Sequence, residues 1–174
     1  MFAVRSDDSQ DYMDFGIVDT GLDWWDTLGK GVPVSTAWKP MRLEAEGEVV
    51  SDSPSVWSGT LALSRRSWDT MKSLIAPYGE VFDLPPPADG YVLFNPTCCC
   101  LELSIEAVVN RFQSGRIKHL VKPVVRRRSA ERLVIGKLRE SPAIDIFVGK
   151  AFVELWGKAG FVGLVFEPIR EAEE

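Results

Sequence analysis

The sequence predicts an α+β fold, with one or more mixed sheets and a few packed helices. Two observations carry that prediction. Short runs rich in β-branched and aromatic residues are closed off by glycine and proline, and two stretches place apolar residues at helical spacing between strand-like runs. The chain has 174 residues, 45% of them hydrophobic and 26% charged, enough apolar material for one sizeable core. We therefore expect a single domain over residues 1–174, with residues 1–55 as a variable acidic N-terminal part and residues 56–174 as the α+β core.

Glycines at 16, 21, 29 and 31 interrupt any long helix in residues 1–35, which read as short strands and loops. VWSGTLAL, residues 56–63, is rich in β-formers and leads into a helix on which Trp68, Met71, Leu74 and Ile75 share a face, with Ser64 or Ser67 as N-cap. Pro77 and Gly79 stop that helix, and EVFDLP resumes as a strand. PPPADG is a turn, and YVLFNPTCCCLEL is extended beyond it. LSIEAVVNRF reads as a short helix capped by Ser104, HLVKPVV and ERLVIGKL as extended, and the RRRS between them as a turn. The segment from 145 to 169 repeats the earlier plan: strand, a helix carrying Phe152, Leu155 and Trp156, a glycine turn, then LVFEP. Overlaid without a gap, Leu63 meets Phe147, Met71 meets Leu155, Gly79 meets Gly163 and Phe82 meets Phe166. This gives two related strand-helix-strand units, either a true repeat or the recurrence that any amphipathic β-α-β stretch produces.

The net charge of −5 argues against the general attraction that draws basic proteins to nucleic acid. Its distribution says more than its total. Asp7, Asp8, Asp11, Asp14, Asp19, Asp23 and Asp26 crowd the beginning, whereas residues 111–139 are dominated by arginine and lysine. An acidic surface of this kind complements a basic protein, and the adjacent Trp24 and Trp25 cannot both point inward from a strand, which leaves one for a groove or an interface. No apolar stretch is long enough to span a bilayer, and MFAVRSDDSQDY turns acidic where a secretory signal turns apolar, so the expected location is the cytoplasm.

Chemistry-bearing motifs are few. Cys98, Cys99 and Cys100 are the chain's only cysteines, and strand alternation puts Cys98 and Cys100 on one face and Cys99 on the other. Three thiolates then cannot converge on zinc, and we read them as free thiols that pack. His119, the only histidine, has no neighbour in sequence that would make it an acid-base pair. No nucleophile elbow, zinc-protease helix, phosphate-binding loop or dinucleotide fingerprint is present. Arg126, Arg127 and Arg128 suit phosphates but lack interleaved aromatics, and pairing with the protein's own acids is the simpler reading.

One further pattern remains. Ser64, Arg66 and Trp68, then Val81, Phe82, Leu84 and Pro85, then Tyr91, Leu93, Asn95 and the LELS of 101–104 are followed much later by IFVGKAFVELWGKAGFVGLVFEPI. Together, over about two thirds of the chain, these resemble the immunity protein 11 family of bacterial polymorphic-toxin systems. Val162 departs from that family's pattern, which more often has a polar residue between the closing glycines. The resemblance implies a non-enzymatic immunity protein without a cofactor or metal, which neutralises a cognate toxin, encoded by an adjacent gene, through protein contact. The Asp-rich beginning matches no pattern of that family, and it is the charge and the paired aromatics that place the expected toxin-binding surface at Asp7, Asp8, Asp11, Asp14, Asp19, Asp23, Trp24, Trp25 and Asp26; the family supplies no catalytic residue. Two other readings stand beside it: a small enzyme or ligand-binding domain built on His119, and a nucleic-acid-binding module using residues 111–139.

Overall fold

The structure, a computed structural model, describes residues 1–18 and 27–173. Its strands are β1 (Phe2–Ser6), β2 (Asp14–Ile17), β3 (Leu43–Glu46), β4 (Leu61–Ser64), β5 (Gly79–Asp83), β6 (Tyr91–Pro96), β7 (Val108–Arg111), β8 (Ile117–Lys122), β9 (Val124–Arg126), β10 (Ile135–Gly136), β11 (Phe147–Val148), β12 (Leu164–Pro168) and β13 (Arg170–Ala172). Its helices are α1 (Arg65–Ile75), α2 (Arg127–Ala130) and α3 (Lys150–Ala159). The α+β class is therefore observed.

The two strand-helix-strand units share one topology. β4 and β5, joined through α1, both run antiparallel to β6, which lies between them. β11 and β12, joined through α3, both run antiparallel to β1, which lies between them. Each unit is thus a split β-α-β. The first takes its central strand from the residues that follow it, and the second takes its own from the start of the chain. The overlay that sets Leu63 on Phe147 also carries α1 onto α3, and β5 onto β12, to within one residue. The buried stripes are one residue out of step, since Met71 matches Leu155 in that overlay while Trp156 is the residue buried beside Phe152.

Sequence explains the helix ends. Ser64 Oγ accepts the Ser67 N–H at 3.1 Å, filling one of the orphan donors of the first turn. α3 ends where Gly160 turns left-handed at φ 66°.

Both sheets are covered on both faces. Val92 and Phe94 of β6 point into a core shared with Met71, Ile75, Phe152 and Trp156, so the two helices meet there. Tyr91 and Leu93 point the other way, into a second core with Phe15, Leu28, Met41 and Leu43. In β1, Val4 joins the helical core and Ala3 joins a third cluster with Leu101, Ile117, Leu120 and Phe147. Two-sided burial is why β6 reads as a continuous apolar run.

Three local expectations change. LSIEAVVNRF is not a helix: Ser104 does accept the Glu106 N–H at 3.1 Å, but β-branched Val108 and Val109 enter an antiparallel ladder with β8. Of VWSGTLAL only the last residues form a strand, because Gly59 at φ 76° breaks the run. RRRS closes into the single helical turn α2. Among the described residues no helix is long and apolar enough to cross a membrane.

Candidate functional site

Four of the nine residues expected at the toxin-binding surface are brought together by the fold. Asp7 and Asp8 follow β1, Asp11 precedes the β2–β3 hairpin and Asp14 begins β2, and all four line one depression of about 180 Å³ beside Tyr12 and Gly163. The depression is held by backbone bonds. Asp7 N–H donates to Gly163 O at 3.2 Å, and residues 11–13 bond to Val49 through Val49 N–H to Asp11 O (3.0 Å) and Met13 N–H to Val49 O (2.7 Å). The hydroxyl and backbone N–H of Ser9 hold the Asp7 carboxyl below its ordinary value. Asp14 Oδ1 accepts the Ser55 N–H at 2.7 Å, which fixes the direction of its carboxylate.

The same hairpin adds acids that sequence reasoning missed. In the antiparallel β2–β3 ladder Phe15 and Leu43 face the core, while Asp14, Gly16, Glu44 and Glu46 face solvent. Glu48 is exposed just beyond. The signal was the alternation in LEAEGE, whose period of two puts glutamates on one face of a strand. Among the described residues none of Asp7, Asp8, Asp11, Asp14, Glu44, Glu46 or Glu48 has a basic ion-pair partner, although carboxylates elsewhere in the chain do. Val49 and Val50, 37% and 68% exposed, give this acidic face an apolar edge. Asp19, Asp23, Trp24, Trp25 and Asp26 lie outside the described residues.

Beneath the face sits a polar staple. Asp52, whose side chain is only 8% exposed, pairs with Arg66 through Nη2 to Oδ2 at 2.6 Å and Nε to Oδ1 at 3.2 Å. It also accepts the Ser64 hydroxyl at 2.9 Å and the Val162 N–H at 3.1 Å. One carboxylate thus joins the start of α1 to the turn after α3.

A second network holds the loop of residues 27–35. Lys137 is fully buried, and its ammonium donates to Gly29 O. Burial pushes that ammonium down to about 8, against a smaller opposing influence of Cys99. Asn95 accepts the Gly29 N–H at 3.3 Å and donates to Val32 O at 3.0 Å. Burial alone would raise the Glu80 carboxyl, but N–H bonds from Val34 (2.7 Å) and Ser35 (3.0 Å) outweigh it and hold the group below its ordinary value. Gly29 and Gly59, both at φ 76°, face each other so closely that a Cβ on either would strike the other turn's backbone.

The remaining candidates take structural places. Cys99 Sγ faces Gly31 O, while Cys98 and Cys100 line the opposite side with Tyr78, Leu133 and Ile135, the alternation expected of them. Burial, reinforced by Cys98, pushes the Cys100 thiol up to about 12. Free and half-buried, these thiols pack. His119 is exposed on β8, and among the described residues no carboxylate bonds to it. The arginine run meets the protein's own acids: Arg126 and Arg128, joined by Arg139, surround Glu102 at 3.1, 3.4 and 2.7 Å, and Arg127 pairs with Glu173. Burial works to raise the Glu102 carboxyl, but the Arg139 charge and the bonds from Arg128 and Arg126 hold it down.

Among the described residues no cluster of histidine, cysteine or carboxylate side chains is arranged to hold a metal ion. What the acidic face offers is long-range attraction for cations and short-range apolar contact. No protein-family model matches the chain, and no curated protein matches it.

Proposed function

We propose that this chain is an immunity protein: a non-enzymatic, cytoplasmic protein that binds a cognate toxin, encoded by an adjacent gene, and neutralises it by covering or distorting its active surface. The observation that carries this reading is the acidic face, where Asp7, Asp8, Asp11 and Asp14 share one depression and Glu44 and Glu46 lie on the solvent side of the ladder that starts at Asp14, none of them in an ion pair among the described residues. Such a face draws a basic partner at a rate that falls with salt, and its apolar edge supplies contact that holds once the partner has arrived. A nuclease, which must itself attract phosphates, has the complementary charge.

The test is co-expression of the tagged chain with the products of its neighbouring genes. A stoichiometric complex with a product that kills cells lacking this chain is the expected result. If no neighbour binds and none is toxic, the reading fails.

A further inference from the structure

The face opposite in charge lies on the β7–β8 hairpin. β7 and β8 pair only with each other among the described strands, and their connection is a tight turn in which Phe112 N–H donates to Arg116 O at 2.8 Å and Gly115 N–H to Phe112 O at 2.9 Å. The turn presents Phe112, a large aromatic side chain left 48% exposed. The Arg116 guanidinium and the Lys118 ammonium stand over its ring, 5.8 and 5.9 Å from the centroid. Beside the ring opens a pocket of about 370 Å³ with Ile117, Pro142 and Ile144 in its walls and Lys30, Arg116 and Lys118 at its rim.

Charge separates this surface from the arginine run. Arg126, Arg127 and Arg128 are matched by Glu102 and Glu173, whereas among the described residues Lys30, Arg116, Lys118 and Lys122 have no ion-pair partner. The single carboxylate of the pocket, Glu140, is engaged by Arg111 at 3.5 Å. Unmatched cations around an apolar pocket with an aromatic lip fit a ligand that is anionic outside and apolar at one point.

We infer that the Phe112 hairpin is a docking site for an acidic protein segment that inserts one aliphatic or aromatic side chain into the pocket between Phe112 and Pro142. Nucleic acid fits less well, because Arg116 and Lys118 already stand over the ring on which a base would stack. This site is independent of the toxin reading and uses none of the acidic residues.

Fluorescence anisotropy with the full chain and a short labelled Asp/Glu peptide carrying one central Trp tests it. The expected result is saturable binding that weakens with salt and that drops about tenfold or more when the peptide's Trp is replaced by Ala, or with Phe112→Ala in the protein. Lys118→Glu should weaken it as well, while Glu46→Lys, on the acidic face, should leave it unchanged. Because Phe112 is an exposed turn residue, the variant's unfolding midpoint should match the parent's, which separates loss of the site from loss of the fold. No binding of the peptide, indifference to Phe112→Ala, tighter binding of an oligothymidylate of equal length or of anionic phosphatidylserine vesicles, or self-association that Phe112→Ala abolishes would each overturn the inference.

Discussion

Asp14 stands directly opposite Glu46 in the antiparallel β2–β3 ladder, both side chains on the solvent face and neither in an ion pair among the described residues. Like charges placed across a strand pair destabilise it, and a lysine at either position would do better. On the other face of the ladder Phe15 and Leu43 are buried in the core, while Ala45, opposite Phe15, stays exposed. The ladder thus buries Phe15 and Leu43 but is poorly patterned for charge, a cost the proposed partner surface would account for.

Replacing Glu46 with lysine should then separate the two roles. The unfolding free energy is expected to rise by about 0.5 kcal/mol as an attractive pair replaces a repulsive one. Binding of the proposed toxin should fall in the same variant, which denaturant titration and a pull-down would register together.

Asp52 is the opposite case, a carboxylate that holds the fold together. Its removal leaves the Val162 N–H and the Ser64 hydroxyl without their acceptor and strands the Arg66 guanidinium, which is 64% exposed and rehydrates cheaply. Asp52→Ala is expected to cost about 2–3 kcal/mol, read from urea unfolding, and Asp52→Asn less.

Lys137 gives stability a pH dependence of known sign. Its folded-state value of about 8 lies below the ordinary 10.5, so between those limits the unfolded chain binds more protons than the folded one. Stability contributed by this group therefore rises as pH climbs from about 8 to about 10.5, by as much as about 3 kcal/mol. Lys137→Met should remove that rise, measured as the difference between the two proteins' unfolding curves across the interval.

The Cys100 thiol is expected to be inert. With the Cys100 thiol pushed up to about 12 by burial, alkylation by iodoacetamide near neutral pH should be far slower in the folded chain than in urea. Cys98→Ala should leave binding of the proposed toxin unchanged.

Much of the architecture was legible because local signals and burial agree. The run from Ser64 to Ile75 carries its cap and its apolar stripe together, and the glycine and proline stops bound it. Not legible was the partner of each split unit: nothing local in FAVRS says that it will lie between β11 and β12, since strand pairing across the whole chain is a property of the packed core. Val108 to Arg111 misled because Ser104 starts a turn that resembles a helix start, and only the distant β8 decides the outcome. Within the site, the aspartates were visible as composition, while Glu44 and Glu46 needed the register of β3 to show which face they share.

The most direct test of the acidic face is the affinity of the chain for the proposed toxin, sought among the products of the neighbouring genes, measured with the parent and with an Asp14→Lys, Glu44→Lys, Glu46→Lys variant shown to be folded. The account predicts a complex that weakens steeply with salt, is lost in the variant, and leaves cells expressing toxin and variant unprotected. A folded variant that binds as tightly as the parent and still protects would contradict it.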